Sequence, residues 1–462
     1  MRKIVPLVTR PPQAASVDRW LELIRLPTLF SLREIKVGGI DGEPAWLLLS
    51  PRPFNVLSLF NRVTAFLLAA FLLLLAWSIY YHFSTTEVSP GICQPLKVRF
   101  LHISVVMVFG LNYVFWKIGL CRWLAMVRFM FDGIPPFNDP TLSIKNTYFE
   151  GVFVRIYQPK EPSVNQRRGI VYIHGGSGIM GSIDAYERLC RYIAKESNSV
   201  LVSVGYHVAP ESPYPSQFNE CHDATVHFMK NAENYGVDPA RIIICGDSFG
   251  GTVTAYLCQE LKSRTDLPKV RAQVLLYPFL QALDPTLPSY QQNCFNPFIS
   301  RIELLKFAAR YFDTPISIIG MAIAGNLMPE NLLKKYSKWV HSEIVPFKFR
   351  IRNHNPALPP SSKDNLFNVI IETQERKLSP LLADDFFLEG LPETFILTCE
   401  YDVLRDDGLL YKKRLEDNGV SVLWHHLEDA FHSILVLLDH WFVTFPCAKT
   451  GTDVIVNYMK TL

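Results

Sequence analysis

From residue 147 onward, short runs of apolar and β-branched residues alternate with longer stretches whose apolar positions recur at helical spacing. Residues 147–159 (TYFEGVFVRIYQP) read as strand, 169–174 (GIVYIH) as a buried strand, 184–196 as a helix and 199–205 as another strand. A loop, a helix over 217–235, a strand through 242–244 with its own helix, and a strand over 270–277 continue the pattern. Strands separated by helices of this length predict a largely parallel sheet covered on both faces. Between about 287 and 376 the alternation breaks down into helical patches, proline clusters and aromatic residues, the pattern of an insertion capping a pocket. It resumes with a strand over 393–399, a helix over 407–418, a strand over 421–427 and a last helix over 447–460. One α/β domain over 146–462 is expected.

The N-terminal third reads differently. Residues 63–81 (VTAFLLAAFLLLLAWSIYY) carry no charge over about nineteen positions, enough for a helix to span a bilayer, with Trp77, Tyr80 and Tyr81 suited to its interface. A buried core helix is the competing reading, but cores rarely make a helix apolar on every side. Residues 1–62 hold many arginines and lysines and read as a poorly ordered tail; few basic residues follow the apolar run closely. The positive-inside rule then puts the tail in the cytosol, 63–82 as a retained signal-anchor, and everything after it in the lumen. No Asn-x-Ser/Thr acceptor follows the anchor, although many lumenal domains carry one. Within 83–145, the run 101–120 is apolar but holds His102, Asn112 and Lys117. It is expected as an amphipathic helix over the active site or on the bilayer surface; a second span would return the rest of the chain to the cytosol.

Composition adds limits. The 462 residues carry a formal net charge of +3 with mixed signs, which gives no nucleic-acid footprint. Hydrophobic residues make up 49% and aromatics 13%, ample for a core and consistent with membrane contact. Nine cysteines without a CxxC pair argue against a zinc ribbon or a redox dithiol. An odd count leaves at least one thiol free, and the sequence does not say which of the others could pair in an oxidising lumen. Nothing sets an oligomeric state.

The chemistry centres on Gly246-Asp247-Ser248-Phe249-Gly250-Gly251, where the strand through Ile242–Ile244 meets a helical pattern. Gly-x-Ser-x-Gly at such a junction is a nucleophile elbow, its glycines permitting a sharp turn that exposes a strained Ser248. Chymotrypsin-like proteases share Gly-Asp-Ser-Gly-Gly, but there the serine comes last and the fold is all-β. Of twelve histidines, His432 follows the last strand, where such a sheet places its base; a surface histidine is the bland alternative. His425 and His426 point to opposite faces of one strand and make a poor metal pair. For the carboxylate, Asp402 sits just past the strand at 393–399 and competes with Glu400, Asp406 and Asp407. The last two look like N-cap and first-turn residues of the next helix. His174-Gly175-Gly176-Ser177 is an HGGG-type oxyanion loop one glycine short, with donors from the amides of Gly175, Gly176, Ser177 and Phe249. A phosphate loop is excluded by the missing Lys-Ser/Thr.

These residues resemble the hormone-sensitive-lipase group of α/β-hydrolases and, within it, the arylacetamide deacetylase family, nearest to its like-3 and like-4 branch. The similarity runs from about residue 64 to the C-terminus through HGGS, YHVAPE, YGVDPARIIICGDSFGG, SPLLADD, CEYDVLRDD and HLEDAFHS. The resemblance implies an α/β-hydrolase fold with a helical cap, and Ser248 as nucleophile, Asp402 as acid and His432 as base. The oxyanion motif then falls on His174, Gly175 and Gly176, with Gly246, Asp247 and Gly250 shaping the elbow. It implies a type II protein of the endoplasmic reticulum membrane hydrolysing hydrophobic carboxylic esters and some arylamides, without metal or organic cofactor. A silent relative binding lipid or a partner through the cap is the alternative. Three departures stand out: Ser177 for the third glycine, His207 for the arginine of YRLAPE, and Ala430 and Ser433 for the glycines flanking His432.

Overall fold

The strands expected from their β-branched runs join one eight-stranded sheet, ordered β1-β2-β4-β3-β5-β6-β7-β8. They are β1 (Leu142–Phe149), β2 (Val152–Pro159), β3 (Arg167–Ile173), β4 (Val200–Gly205), β5 (Val237–Asp247), β6 (Ala272–Leu276), β7 (Glu393–Tyr401) and β8 (Val422–Phe431). From β4 to β8 every neighbouring pair is parallel; β1 and β2 attach antiparallel at one edge. The structure, a computed structural model, describes residues 56–122, 124–133, 136, 138–315, 317–323, 330–352 and 376–462. The expected tail therefore lies outside the described residues up to position 55, as do parts of the 287–376 insertion.

The helices are α1 (Val56–Thr85), α2 (Pro95–Lys117), α3 (Ala125–Asp132), α4 (Glu187–Glu196), α5 (Ser216–Lys230), α6 (Phe249–Leu261), α7 (Arg301–Tyr311), α8 (Arg405–Asp417) and α9 (Pro446–Lys460), with several shorter turns. Two expectations are corrected. Residues 147–159 are not one strand: Glu150 (φ 47°) and Gly151 (φ 84°) reverse the chain, so β1 and β2 form a hairpin that begins at Leu142. The helix through the apolar run starts at Val56, so residues 56–62 belong to it and not to a tail.

The chain divides into two units. The smaller comprises residues 1–81 and 103–127; in it Gly110 lies so close to Trp77 and Leu74 that a Cβ there would meet the indole at 2.8 Å. Most side chains of α1 are exposed, and both α1 and α2 are long and apolar enough to cross a membrane. The larger unit comprises 82–102 and 128–462. Its core is built from the inward side chains of the sheet together with α4 and α9, and it includes Val88, Ile92 and Val98 from the segment that precedes residue 103.

Candidate active site

The parallel strands present their C-terminal ends on one edge, and the chemistry-bearing residues gather there. β5 ends at Asp247, Ser248 follows, and α6 begins at Phe249. Ser248 itself carries the strained backbone, φ 52° and ψ −119°. Its N–H donates to Leu276 O (2.9 Å), while its carbonyl accepts from Gly251 and Thr252 at 3.0 and 3.2 Å. The flanking glycines supply clearance and not a positive φ: a Cβ on Gly250 would run into Ile173 O, and one on Gly246 into Gly250 O. Their absent side chains let α6 sit against β3 and β5.

Ser248 Oγ lies 2.9 Å from His432 Nε2, and His432 Nδ1 lies 2.9 Å from Asp402 Oδ2. All three are buried, and the Tyr277 ring packs edge-on against the imidazole. β8 ends at Phe431, one residue before His432, and β7 ends at Tyr401, one before Asp402. Register between neighbouring strands β7 and β8 thus places base and carboxylate side by side. Asp402 Oδ1 accepts from Leu404 N (2.8 Å), which orients the carboxylate.

The three rival carboxylates point elsewhere. Glu400 binds His426 Nε2 (3.1 Å) and Arg352 (2.5 Å). Asp406 and Asp407 occupy the first turn of α8 as expected; neither is its N-cap, which is Leu404, and both side chains are fully buried against another segment. Asp406 accepts from Ser289 N (2.7 Å). Asp407 accepts from Leu280 N (2.9 Å), the Gln281 side chain (3.0 Å) and Tyr290 OH (3.1 Å). Burial pushes the Asp407 carboxyl up to about 7 against these bonds.

The glycine loop 174–178 lies across from the elbow. The Gly175 N–H donates to Asp247 Oδ1 (2.8 Å), so the expectation that Gly175 serves as an oxyanion donor is corrected: its hydrogen is committed. The amides of Gly176, Ser177 and Phe249 have no acceptor among the described residues. Gly176 (φ 105°) cannot carry a side chain, since a Cβ would strike Met180 O. Ser177 also has positive φ (55°). His174 stacks on Tyr206 with ring centroids 4.1 Å apart, and burial lowers it to about 4, so it stays neutral. Asp247 also accepts from Tyr172 OH (3.1 Å) and Tyr186 OH (2.9 Å); burial nonetheless raises it to about 6.

Beside His432 the two departures behave differently. Ala430 has no positive φ, whereas Ser433 is left-handed (φ 63°, ψ 18°). His207 Nδ1 pairs with Glu220 at 3.0 Å.

Sequence reasoning missed Arg128 on α3. Its guanidinium donates to Ile179 O (2.8 and 3.0 Å), immediately after the glycine loop, to Ala209 O (2.8 Å), and to Glu211 (3.0 Å). It clamps the glycine loop to the YHVAPE loop, and no local motif marks it.

A cavity opens at Ser248, with about 780 Å³ of empty space including its mouth. Leu304, Leu305 and Ala308 of α7, within the 287–376 insertion, form one wall together with Phe279, Phe312 and Leu378. The polar lining groups away from Ser177 and Ser248 are tied off. Tyr290 OH and Gln281 bind Asp407, and Tyr311 OH donates to Gln217 (2.8 Å).

Comparison with known proteins shows the family and the fold. A family profile described as alpha/beta hydrolase fold matches residues 170–317 and 346–436. Human arylacetamide deacetylase-like 4 is 39% identical over 390 residues, covering 84% of this chain and 96% of the relative. Bovine neutral cholesterol ester hydrolase 1 is 33% identical over 415 residues, covering 87% and 99%. A thermostable esterase from Pseudomonas putida superimposes with a TM-score of 0.56 at 21% identity, covering 81% of this chain and 98% of that one, which shows the shared fold. With the expected sheet in place and relatives this similar along most of their length, the chain belongs to the arylacetamide deacetylase family of carboxylic ester hydrolases, on the α/β-hydrolase fold.

Proposed function

We propose that the protein is a membrane-anchored serine hydrolase that cleaves carboxylic esters of hydrophobic substrates through an acyl-enzyme. Ser248 Oγ attacks the ester carbonyl while His432 Nε2 takes its proton; Asp402 holds the ring in the tautomer with hydrogen on Nδ1 and stabilises the imidazolium. The tetrahedral oxyanion is held by the amides of Gly176, Ser177 and Phe249. His432 returns its proton to the leaving alkoxide, and a water then repeats the sequence to release the acid. The observation that carries this reading is the continuous chain Ser248–His432–Asp402, with 2.9 Å at each step, at the mouth of an apolar cavity. Because the tyrosine hydroxyls and Gln281 spend their polar atoms on the protein, the cavity favours an apolar acyl or alcohol portion.

The test is reaction with a fluorophosphonate probe and turnover of a short aryl ester. Wild type should label at Ser248, and Ser248→Ala should lose labelling and about 10⁴–10⁶ of kcat. Unchanged hydrolysis by that variant would sink the assignment.

The anchor reading is supported by connectivity. The apolar helix Leu59–Thr85, 27 residues long, is about 40 Å in length, more than the ~30 Å hydrocarbon core. By contrast, residues 102 and 128 at either end of Ile103–Val127 both belong to the larger unit. That segment would have to cross twice, which takes about 40 residues, more than it has. A single crossing by α1 places residues 1–55 and the catalytic unit on opposite sides, and the basic tail puts that unit in the lumen of the endoplasmic reticulum. An Asn-Gly-Thr acceptor inserted beside the exposed Val164 should become glycosylated; an unmodified, active product would overturn the orientation.

A further inference from the structure

The segment that follows the anchor docks on the same face as the base-bearing strand. Cys93 N–H donates to Asp429 O (2.7 Å), three residues before His432. Lys97 Nζ donates to Thr444 O (2.9 Å) and lies over the Phe445 ring. Ile92 and Val98, on either side, are buried in the same core cluster as Phe445 and Cys447. These contacts bring the half-buried Cys93 thiol against the buried thiol of Cys447, in the first turn of α9, and the two are hydrogen-bonded. The Sγ atoms and an oxygen of the exposed Asp429 carboxylate lie within 4.8 Å of one another.

We propose that Cys93 and Cys447 form a disulfide that staples the post-anchor segment to the C-terminal helix. Cys93 is the more accessible, so it attacks a disulfide R–S–S–R of the glutathione or protein-oxidase class. That step forms a mixed disulfide and releases one thiol RSH. Cys447 then attacks the Cys93 sulfur and expels the second RSH; two cysteine thiols are oxidised as one external disulfide is reduced. The same three ligand atoms suit a metal poorly. A structural zinc site is closed by four ligands, and here one of three is an exposed carboxylate. The staple closes the chain between its anchor and its last helix and braces the strand end that carries His432.

The inference rests on the lumenal placement proposed above and not on the triad. Full-length protein in detergent is equilibrated in a glutathione buffer of secretory-lumen ratio, acid-quenched, denatured and labelled with a mass-tagged maleimide. Wild type should show a cross-linked peptide joining Cys93 and Cys447, and both should label only after reduction. Cys93→Ser should expose Cys447 to the label without reductant, and wild type alone should lose melting temperature on adding reductant. Full labelling of both thiols in wild type overturns the proposal, as does a block relieved by a chelator without reductant, which would reveal zinc. If the serine variant does not fold, the wild-type peptide map decides. Fluorophosphonate labelling of the same samples reports the active site independently. Thiols free on isolation that pair in the buffer would support the pairing and refute the lumenal placement.

Discussion

Asp247 accepts the backbone N–H of Gly175 at 2.8 Å, so the residue just before Ser248 holds the loop proposed to supply the oxyanion donors. Elbow and loop are therefore one unit, set by a buried carboxylate that also takes hydrogen bonds from Tyr172 and Tyr186. A shift in Asp247 moves Gly176 and Ser177 relative to Ser248.

Protonating Asp247 turns one acceptor oxygen into a donor facing a donor. With burial raising it to about 6, kcat should fall as pH drops through that value. Stability should run the other way. The folded state keeps a proton that the unfolded chain, near 3.8, has lost. This group's contribution is full below about pH 4 and is lost as pH rises to about 6. Asp247→Asn should lower kcat by roughly 10–100-fold with little change in KM and should flatten that limb of the stability profile, read by denaturant titration at several pH values.

Asp407 holds Gln281 and Tyr290, which line the cavity, and burial raises it to about 7. Below that pH it carries a proton and releases one of its donors. KM for a hydrophobic ester should therefore change between pH 6 and 8, read from initial rates at several pH values. Asp407→Asn should remove the pH dependence of KM; its persistence would show that Asp407 does not shape the cavity wall.

Ser177 and Ser433 occupy left-handed backbone at φ 55° and 63°. Ser177→Gly and Ser433→Gly should each stabilise by about 0.5–1 kcal/mol, the relief of strain less glycine's extra unfolded-state entropy. Paired urea melts would show this. Gly176→Ala should do the opposite and abolish turnover, since no methyl fits below Met180 O.

Arg128 is a positioning residue for the glycine loop. Arg128→Ala should lower kcat about tenfold or more at nearly constant KM, because oxyanion donors act mainly in the transition state. Arg128→Lys should rescue only in part, since one ammonium cannot reach Ile179 O, Ala209 O and Glu211 together in the guanidinium's fork. Full activity in the alanine variant would show that the loop holds itself.

The elbow, a largely parallel sheet and the apolar helix before it were legible in the amino-acid sequence because each is signalled by a local pattern. A β-branched run, a Gly-x-Ser-x-Gly turn, or an uncharged stretch near residue 70 is written in adjacent positions. His432 was also within reach, because the chain order of an α/β sheet places the base after the last strand. Choosing Asp402 over Glu400, Asp406 and Asp407 from the residues alone was not possible. All four sit within eight positions, and only the β7–β8 register decides which faces the imidazole. The same holds for Gly175, for Arg128 and for the meeting of Cys93 with Cys447. Their partners lie far along the chain, and no spacing encodes a contact made by packing one layer of the fold on another.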